Sequence, residues 1–176
     1  MLRLSLTASI LVSHALSVKM RHRFIFADSS KCIGCLSCEL ACAAANAGIS
    51  FQEAYATAKS LISRNRVVKY EGKTAPLQCM HCEDASCMAV CPHGVIEKMD
   101  DFIRLNEDAC VGCGTCVRVC PYGALSLQEK NGRIIAQKCN LCSKLPTGPS
   151  CIKVCTTDAI RVVDYEEFES LMRNKA

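Results

Sequence analysis

Tryptophan is absent from these 176 residues, and only five Phe and four Tyr supply aromatic bulk. A chain of this length ordinarily closes one domain on large apolar side chains, so a conventional core is poorly provided for. No run of 18 or more apolar residues exists, which argues against a membrane-spanning helix. Also missing are a glycine-rich dinucleotide fingerprint, a phosphate loop and any nucleophile paired with a base. The length leaves no room for a separate substrate domain. Catalysis is not written in this chain. The apolar fraction of 50% misleads, because it counts 16 cysteines; without them about two-fifths of the residues remain apolar.

Cysteine is what the chain has instead. Four quartets use all 16. The first is Cys32-x2-Cys35-x2-Cys38-x3-Cys42, and the second Cys79-x2-Cys82-x4-Cys87-x3-Cys91 before Pro92. The third is Cys110-x2-Cys113-x2-Cys116-x3-Cys120 before Pro121, and the fourth Cys139-x2-Cys142-x8-Cys151-x3-Cys155. An even count makes a disulfide framework the first alternative. The local spacing argues against it, since neighbours two residues apart converge more naturally on a metal than on each other. Zinc ribbons use two Cys-x2-Cys pairs per ion and no third cysteine at the next step, so zinc also fits poorly. The third quartet with its proline is the bacterial two-cluster ferredoxin run, in which the fourth cysteine serves the neighbouring cluster. The iron–sulfur reading wins.

Three thiolates from one tight loop can reach three corners of a cubane. The fourth, three residues on, is expected to point away at the start of a short helix. Pro92 and Pro121 then end that helix and remove an N–H that would need a partner. Gly34, Gly112 and Gly114 suit a backbone passing close to an inorganic core. The quartets repeat in their surroundings. After Cys91, Cys120 and Cys155 come Pro92-His93-Gly94-Val95-Ile96, Pro121-Tyr122-Gly123-Ala124-Leu125 and Thr156-Thr157-Asp158-Ala159-Ile160. Strand-like runs follow: residues 95–97 with 102–105, then 124–127 with 133–136 around an Asn131-Gly132 turn signal. Residues 23–27 can pair with 159–163 to close an outer half. The expected fold class is α+β: tandem ferredoxin-like halves related by a pseudo-two-fold, with small β-hairpins and short helices around four cubane clusters.

The chain resembles the four-cluster iron–sulfur electron-transfer subunits of molybdenum or tungsten oxidoreductases and nickel–iron hydrogenases. It is most similar to the small ones of the formate dehydrogenase, formate hydrogenlyase and carbon monoxide dehydrogenase systems, in the same family as dimethyl sulfoxide reductase iron–sulfur subunits. Residues 23–28 with 31–35, 79–87, 120–124 and 138–142 carry the likeness, which covers about residues 22–163. It implies four [4Fe-4S] clusters with crossed ligands. Cys32, Cys35, Cys38 and Cys155 would hold cluster one; Cys79, Cys82, Cys87 and Cys120 cluster two. Cys110, Cys113, Cys116 and Cys91 would hold cluster three; Cys139, Cys142, Cys151 and Cys42 cluster four. Ala43 and Thr156 stand where a proline often follows the fourth cysteine, which leaves the ligands intact.

The formal charge of +4 assumes neutral thiols. Counting thiolates and oxidised cubane cores brings the loaded chain to about −4, so its basic pI does not indicate nucleic acid or anionic membrane. Lys31 and Lys138, beside ligating cysteines, are expected to help carry that excess. His81 and His93 read as lying beside clusters or at the surface rather than as ligands, and Glu83 and Asp84 as solvated or turn-capping. His14 and His22 have no evident partner. Residues 42–77 form the longest insertion, with a helix from Cys42 capped near Asn46 or Gly48, a second helix through Phe51, Tyr55, Ala58, Leu61 and Ile62, and a strand over 67–70. It reads as a cover for the outer clusters, compatible with a partner-docking surface.

Residues 4–18 form an apolar stretch behind Arg3 that mimics a secretory signal but lacks a twin arginine, and residues 1–19 are expected to be a disordered extension or an over-called start. The four-cluster domain then spans 20–176, with an inner half at about 78–138 and an outer half at about 22–77 plus 139–163. A short amphipathic helix closes it at 164–175, through Tyr165, Phe168, Leu171 and Met172. The expected function is electron transfer, with no catalytic site, between a formate-, carbon monoxide- or hydrogen-linked catalytic subunit and an acceptor enzyme. Electrons are expected to enter at one outer cluster and pass through the inner pair. The alternatives are the electron-transfer subunit of a molybdopterin terminal reductase, or an accessory protein maturing such an enzyme. The expected location is cytoplasmic, with no nucleic-acid partner.

Overall fold

A computed structural model describes residues 22–57 and 61–173. The expected extension 1–19, His14, Ala58 and the last residues of the tail lie outside these. In chain order the elements are β1 (Arg23–Ala27), α1 (Ser37–Ala47), α2 (Phe51–Thr57), β2 (Arg66–Tyr70), β3 (Lys73–Leu77), α3 (Ser86–Ala89) and β4 (Ile96–Lys98). Then follow β5 (Ile103–Leu105), α4 (Thr115–Val119), β6 (Ser126–Lys130), β7 (Arg133–Gln137), α5 (Ser150–Lys153), β8 (Ile160–Asp164) and α6 (Tyr165–Arg173).

Turn chemistry builds the hairpins. Asn131 and Gly132 both take the left-handed conformation, which folds β6 directly onto β7 with Lys130 opposite Arg133. Glu71 and Gly72 do the same between β2 and β3. The strand β3 was not expected from sequence, because Pro76 interrupts it; a proline is tolerated there since the hairpin is only two strands wide. A shorter pairing joins β4 to β5. The fourth sheet is non-local: β1 pairs antiparallel with β8, Phe24 opposite Val163, as the sequence suggested. The mixture of short helices and antiparallel hairpins is the expected α+β class.

Helix placement departs from expectation in one respect. The third cysteine of each quartet, rather than the fourth, lies at the start of the helix: Cys38 in α1, Cys87 in α3, Cys116 in α4 and Cys151 in α5, with Cys42 the one fourth cysteine inside a helix among the described residues. Cys91, Cys120 and Cys155 follow the helix end. Three residues is nearly one turn, so a helix begun at the third cysteine is spent by the fourth. Only α1 continues, through the alanines after Cys42, and it stops where Gly48 turns left-handed and donates its N–H to Ala44 O. Ser50 and Glu53 form a reciprocal capping box on α2, at 3.1 and 2.8 Å. That helix is shorter than expected, and Leu61 and Ile62 lie in irregular chain.

Two apolar clusters organise the interior. One gathers Val95, Ile96, Ile103, Leu125 and Ile135 around Cys110 and Cys116; the other gathers Ile25, Leu141 and Ile160 around Cys38, Cys79, Cys139 and Cys151. Ion pairs of Arg23 with Asp101 and of Arg64 with Glu107 tie the two regions together, as does Gln78 Nε2 donating to Ile25 O at 3.1 Å. The helix α6 is capped by Asp164, whose Oδ1 accepts the Glu167 N–H at 2.9 Å. Phe168 on its inner face packs on Phe24 and Phe26, with centroids 5.4 and 5.9 Å apart.

Candidate functional site

The structure brings together cysteines distant in sequence. Cys32, Cys35, Cys38 and Cys155 line one cavity, closed by Val67 and Pro76 from the β2–β3 hairpin. Cys91, Cys110, Cys113 and Cys116 line a second, against Val95, Ile96 and Ala136. Cys42, Cys139, Cys142 and Cys151 line a third, beside Ile25, Asn65 and Gln78. The remaining four lie within electrostatic reach of one another, Cys79 and Cys120 each acting on Cys82 and on Cys87. Among the described residues no three His, Cys, Asp or Glu side chains converge as on one ion. A single zinc draws its thiolates to about 2.3 Å from one point, whereas four irons keep them apart around a volume.

Backbone geometry suits an anionic sulfur-bound group. The residue two after the first cysteine of every quartet is left-handed: Gly34, His81, Gly112 and Leu141, at φ 72°, 47°, 69° and 54°. This conformation turns peptide N–H groups inward. His81 N donates to Cys79 Sγ and Leu141 N to Cys139 Sγ, both at 3.4 Å. After the fourth cysteines, Ala124 N donates to Cys120 Sγ at 3.4 Å and Ala159 N to Cys155 Sγ at 3.3 Å. Ala136 N reaches Cys110 Sγ, and Arg64 N, from the insertion, reaches Cys42 Sγ, each at 3.3 Å. Donors aimed at sulfur favour thiolate, the metal-binding form.

Gly112 carries a different constraint from the one expected. A Cβ there would stand 2.3 Å from Ile134 O, so the close approach is to strand β7.

Burial divides the cysteines. It pushes the Cys38 and Cys87 thiols up to about 11 and Cys139 to about 12, and raises Cys42, Cys82, Cys116 and Cys151 as well. The exposed Cys35 and Cys113 are lowered, through the Ser37 hydroxyl and the Thr115 N–H respectively. At Cys155 burial acts upward, but the Thr157 hydroxyl and nearby backbone N–H groups outweigh it. Thiols this buried stay protonated near neutrality, so loading the metal must drive protons off them.

Other candidates resolve plainly. His93, Glu83 and Asp84 are exposed, as expected. His81 is fully buried: its Nδ1 accepts the Ile103 N–H at 3.1 Å, and its ring lies edge-on to Phe102. Burial, with Lys138 nearby, holds it neutral, its pKa down at about 2. His22 does have a partner, against expectation: its Nδ1 lies 3.1 Å from His81 O. Lys138 is buried, and nothing in a sequence pattern announced that. A wider polar cavity of about 420 Å³ adjoins Cys142 and is lined by Arg64, Glu107, Lys130, Lys138 and Asn140. Two of its cations are answered from within, Glu107 pairing with both Arg64 and Lys130. No helix among the described residues is long and apolar enough to cross a membrane.

Comparisons with known proteins find iron–sulfur relatives. The pattern of a 4Fe-4S dicluster domain matches residues 70–165, and a second pattern of the same description matches 31–95. An "Iron-sulfur protein" of Rhodospirillum rubrum is 39% identical over 163 residues, covering 85% of this chain and 86% of its own length. Electron transport protein HydN of Escherichia coli (strain K12) is 37% identical, covering 88% and 95%. Formate hydrogenlyase subunit 2 of the same organism is 32% identical, covering 88% of each chain.

Proposed function

This chain belongs to the 4Fe-4S dicluster domain family, and from that membership we propose that it is the wiring subunit between a catalytic oxidoreductase and an acceptor. It is an iron–sulfur electron-transport protein with four [4Fe-4S] clusters. Each cluster, when bound, supplies a site that accepts and releases single electrons. The protein's share is to hold, space and insulate those sites.

The observation that carries the reading is the grouping of cysteines around separate cavities by crossed quartets. On it rest the ligand sets: Cys32, Cys35, Cys38, Cys155; Cys79, Cys82, Cys87, Cys120; Cys110, Cys113, Cys116, Cys91; and Cys139, Cys142, Cys151, Cys42. The halves at 78–138 and at 22–77 plus 139–163 follow from the same crossing. Electrostatic effects between thiols of different sets support an order. Cys38 acts on Cys151, Cys79 on Cys139 and Cys116 on Cys87, so the sets adjoin as one, four, two, three. In this order each half contributes one end of the wire, rather than both ends lying in the outer half. The ends carry the exposed cysteines: Cys35 beside Ile33 and Leu36, and Cys113 beside Val111. These are the faces where redox partners dock.

The name of one relative, formate hydrogenlyase subunit 2, supports a formate- or hydrogen-linked catalytic partner, and a cytoplasmic location is part of the same proposal. An anoxic pull-down of the tagged chain from its host, with absorption near 400 nm recorded on the product, tests this. Near-equal recovery of a molybdenum or tungsten enzyme or a hydrogenase is expected. Recovery with a terminal reductase changes the partner. Brown chain recovered alone, with deletion leaving a partner enzyme unmatured, makes it an accessory and sinks the subunit reading.

A further inference from the structure

Lys138 is only 3% exposed, yet no carboxylate meets it among the described residues. Its Nζ donates to Ile103 O and, at 2.9 Å, to Cys139 O. Lys138 also lines the polar cavity beside Cys142, but two carbonyl dipoles are poor compensation for an ammonium this far from bulk water, and a buried charge ordinarily requires an opposite charge. The position of the side chain shows where that charge is.

A continuous line of polar contacts passes through it. His81 N donates to Cys79 Sγ; Ile103 N donates to His81 Nδ1; Lys138 Nζ donates to Ile103 O and to Cys139 O; Leu141 N donates to Cys139 Sγ. The line starts on a cysteine assigned to cluster two and ends on one assigned to cluster four. Cys79, His81, Ile103, Lys138, Cys139 and Leu141 are all buried. Arg64, another cation near cluster four, is already neutralised by Glu107, so Lys138 is the buried cation left without a carboxylate at this junction among the described residues.

We propose that Lys138 is a fixed interior counter-charge shared by clusters two and four, which raises the reduction potential of both. The inference rests on the ligand sets proposed above. Reducing a cluster adds negative charge, and burial away from water opposes that addition. At the exposed ends solvent supplies the screening. In the middle a cation must, or the two interior sites become a barrier between the ends.

The test uses the full chain, purified without oxygen, as Lys138→Gln and Lys138→Arg. Iron content and potentials from titrations followed by electron paramagnetic resonance are read together, with Cys139→Ala and Cys35→Ala assigning the signals. Lys138→Gln is expected to keep all four clusters while reduction of two, clusters two and four, becomes at least about tenfold less favourable, a one-electron shift of about 59 mV downward. Lys138→Arg should hold wild-type potentials. Unchanged potentials in Lys138→Gln, or an equal shift of all four, overturn the proposal while leaving the ligand sets standing. Should Lys138→Gln lose clusters that Lys138→Arg retains, the charge is needed even for assembly, which supports it. Loss in both variants means that shape matters and charge does not. Retention of four clusters by Cys139→Ala strikes instead at the ligand assignment.

Discussion

Quartets one and three share a tight Cys-x2-Cys-x2-Cys spacing, quartets two and four a looser one, and the two kinds finish in opposite surroundings. The tight loops place a cysteine at the surface, Cys35 or Cys113. The loose ones place none there. All four loops make the same left-handed turn two residues after the first cysteine, but glycine makes it in the tight loops and His81 or Leu141 in the loose ones. Glycine brings no side chain of its own to the turn, and the flanking Ile33 or Val111 is exposed. His81 and Leu141 cost about 1–2 kcal/mol each in that conformation. Their burial and their N–H···S bonds offset it. One position per loop thus separates the loops that expose a cysteine from those that do not.

The largest expected effect contrasts a loose-loop ligand with a tight-loop one. Cys139 lies in the apolar cluster with Ile25, Leu141 and Ile160, so Cys139→Ala should remove cluster four and loosen that region. Iron should fall from about sixteen to about twelve atoms per chain or lower, with a lost cooperative unfolding transition. Cys35→Ala should also cost one cluster but leave the other three signals and the unfolding transition in place. Iron analysis with thermal melts followed in the visible decides it, and equal damage from both breaks the contrast.

A second contrast separates the two tight loops. At Gly112 a methyl group would meet the Ile134 carbonyl at 2.3 Å, whereas at Gly34 the nearest atom is the Thr74 methyl at 3.4 Å. Both positions also carry the left-handed cost. Gly112→Ala should therefore destabilise by about 3 kcal/mol, combining clash and strain. Gly34→Ala should cost about 1.5 kcal/mol, from the conformation alone. Anoxic urea titrations of both variants measure the difference, and equal losses would show that Ile134 yields.

Much of this arrangement was legible beforehand because iron–sulfur loops are local. The cysteine spacing named the metal, the Asn131-Gly132 turn named a hairpin, and the runs at 23–27 and 159–163, flanking the first and last quartets, named the closing sheet. Strand β3 escaped because Pro76 reads as a break, yet a two-stranded hairpin leaves an edge where its missing N–H costs nothing. Lys138 was placed beside a ligand but not inside the protein, since lysine is almost never fully buried and its partners come from residues 103 and 139. The Arg64 N–H on Cys42 was equally hidden, the two lying 22 residues apart across a helix and an insertion. Long-range polar geometry leaves no periodic trace.

The smallest effect asks how far an end cluster depends on its covering. The nine-residue α6 is too short to be stable alone, and it is held by its Asp164 cap and by Phe168 against Phe24 and Phe26. Those phenylalanines belong to β1, whose partner β8 begins one residue after Ala159, the donor to Cys155 Sγ. Phe168→Ala removes both ring contacts at a half-buried site, for about 1 kcal/mol. The helix should fray, lowering far-ultraviolet ellipticity by about its nine residues, while iron content and the cluster-one signal stay as in the wild type. That outcome means the port at Cys35 is shaped by its own glycine loop and by β2–β3. A changed cluster-one potential in Phe168→Ala would mean that the end of the wire is set through β8, and the one-position account of exposed and interior loops would be too simple.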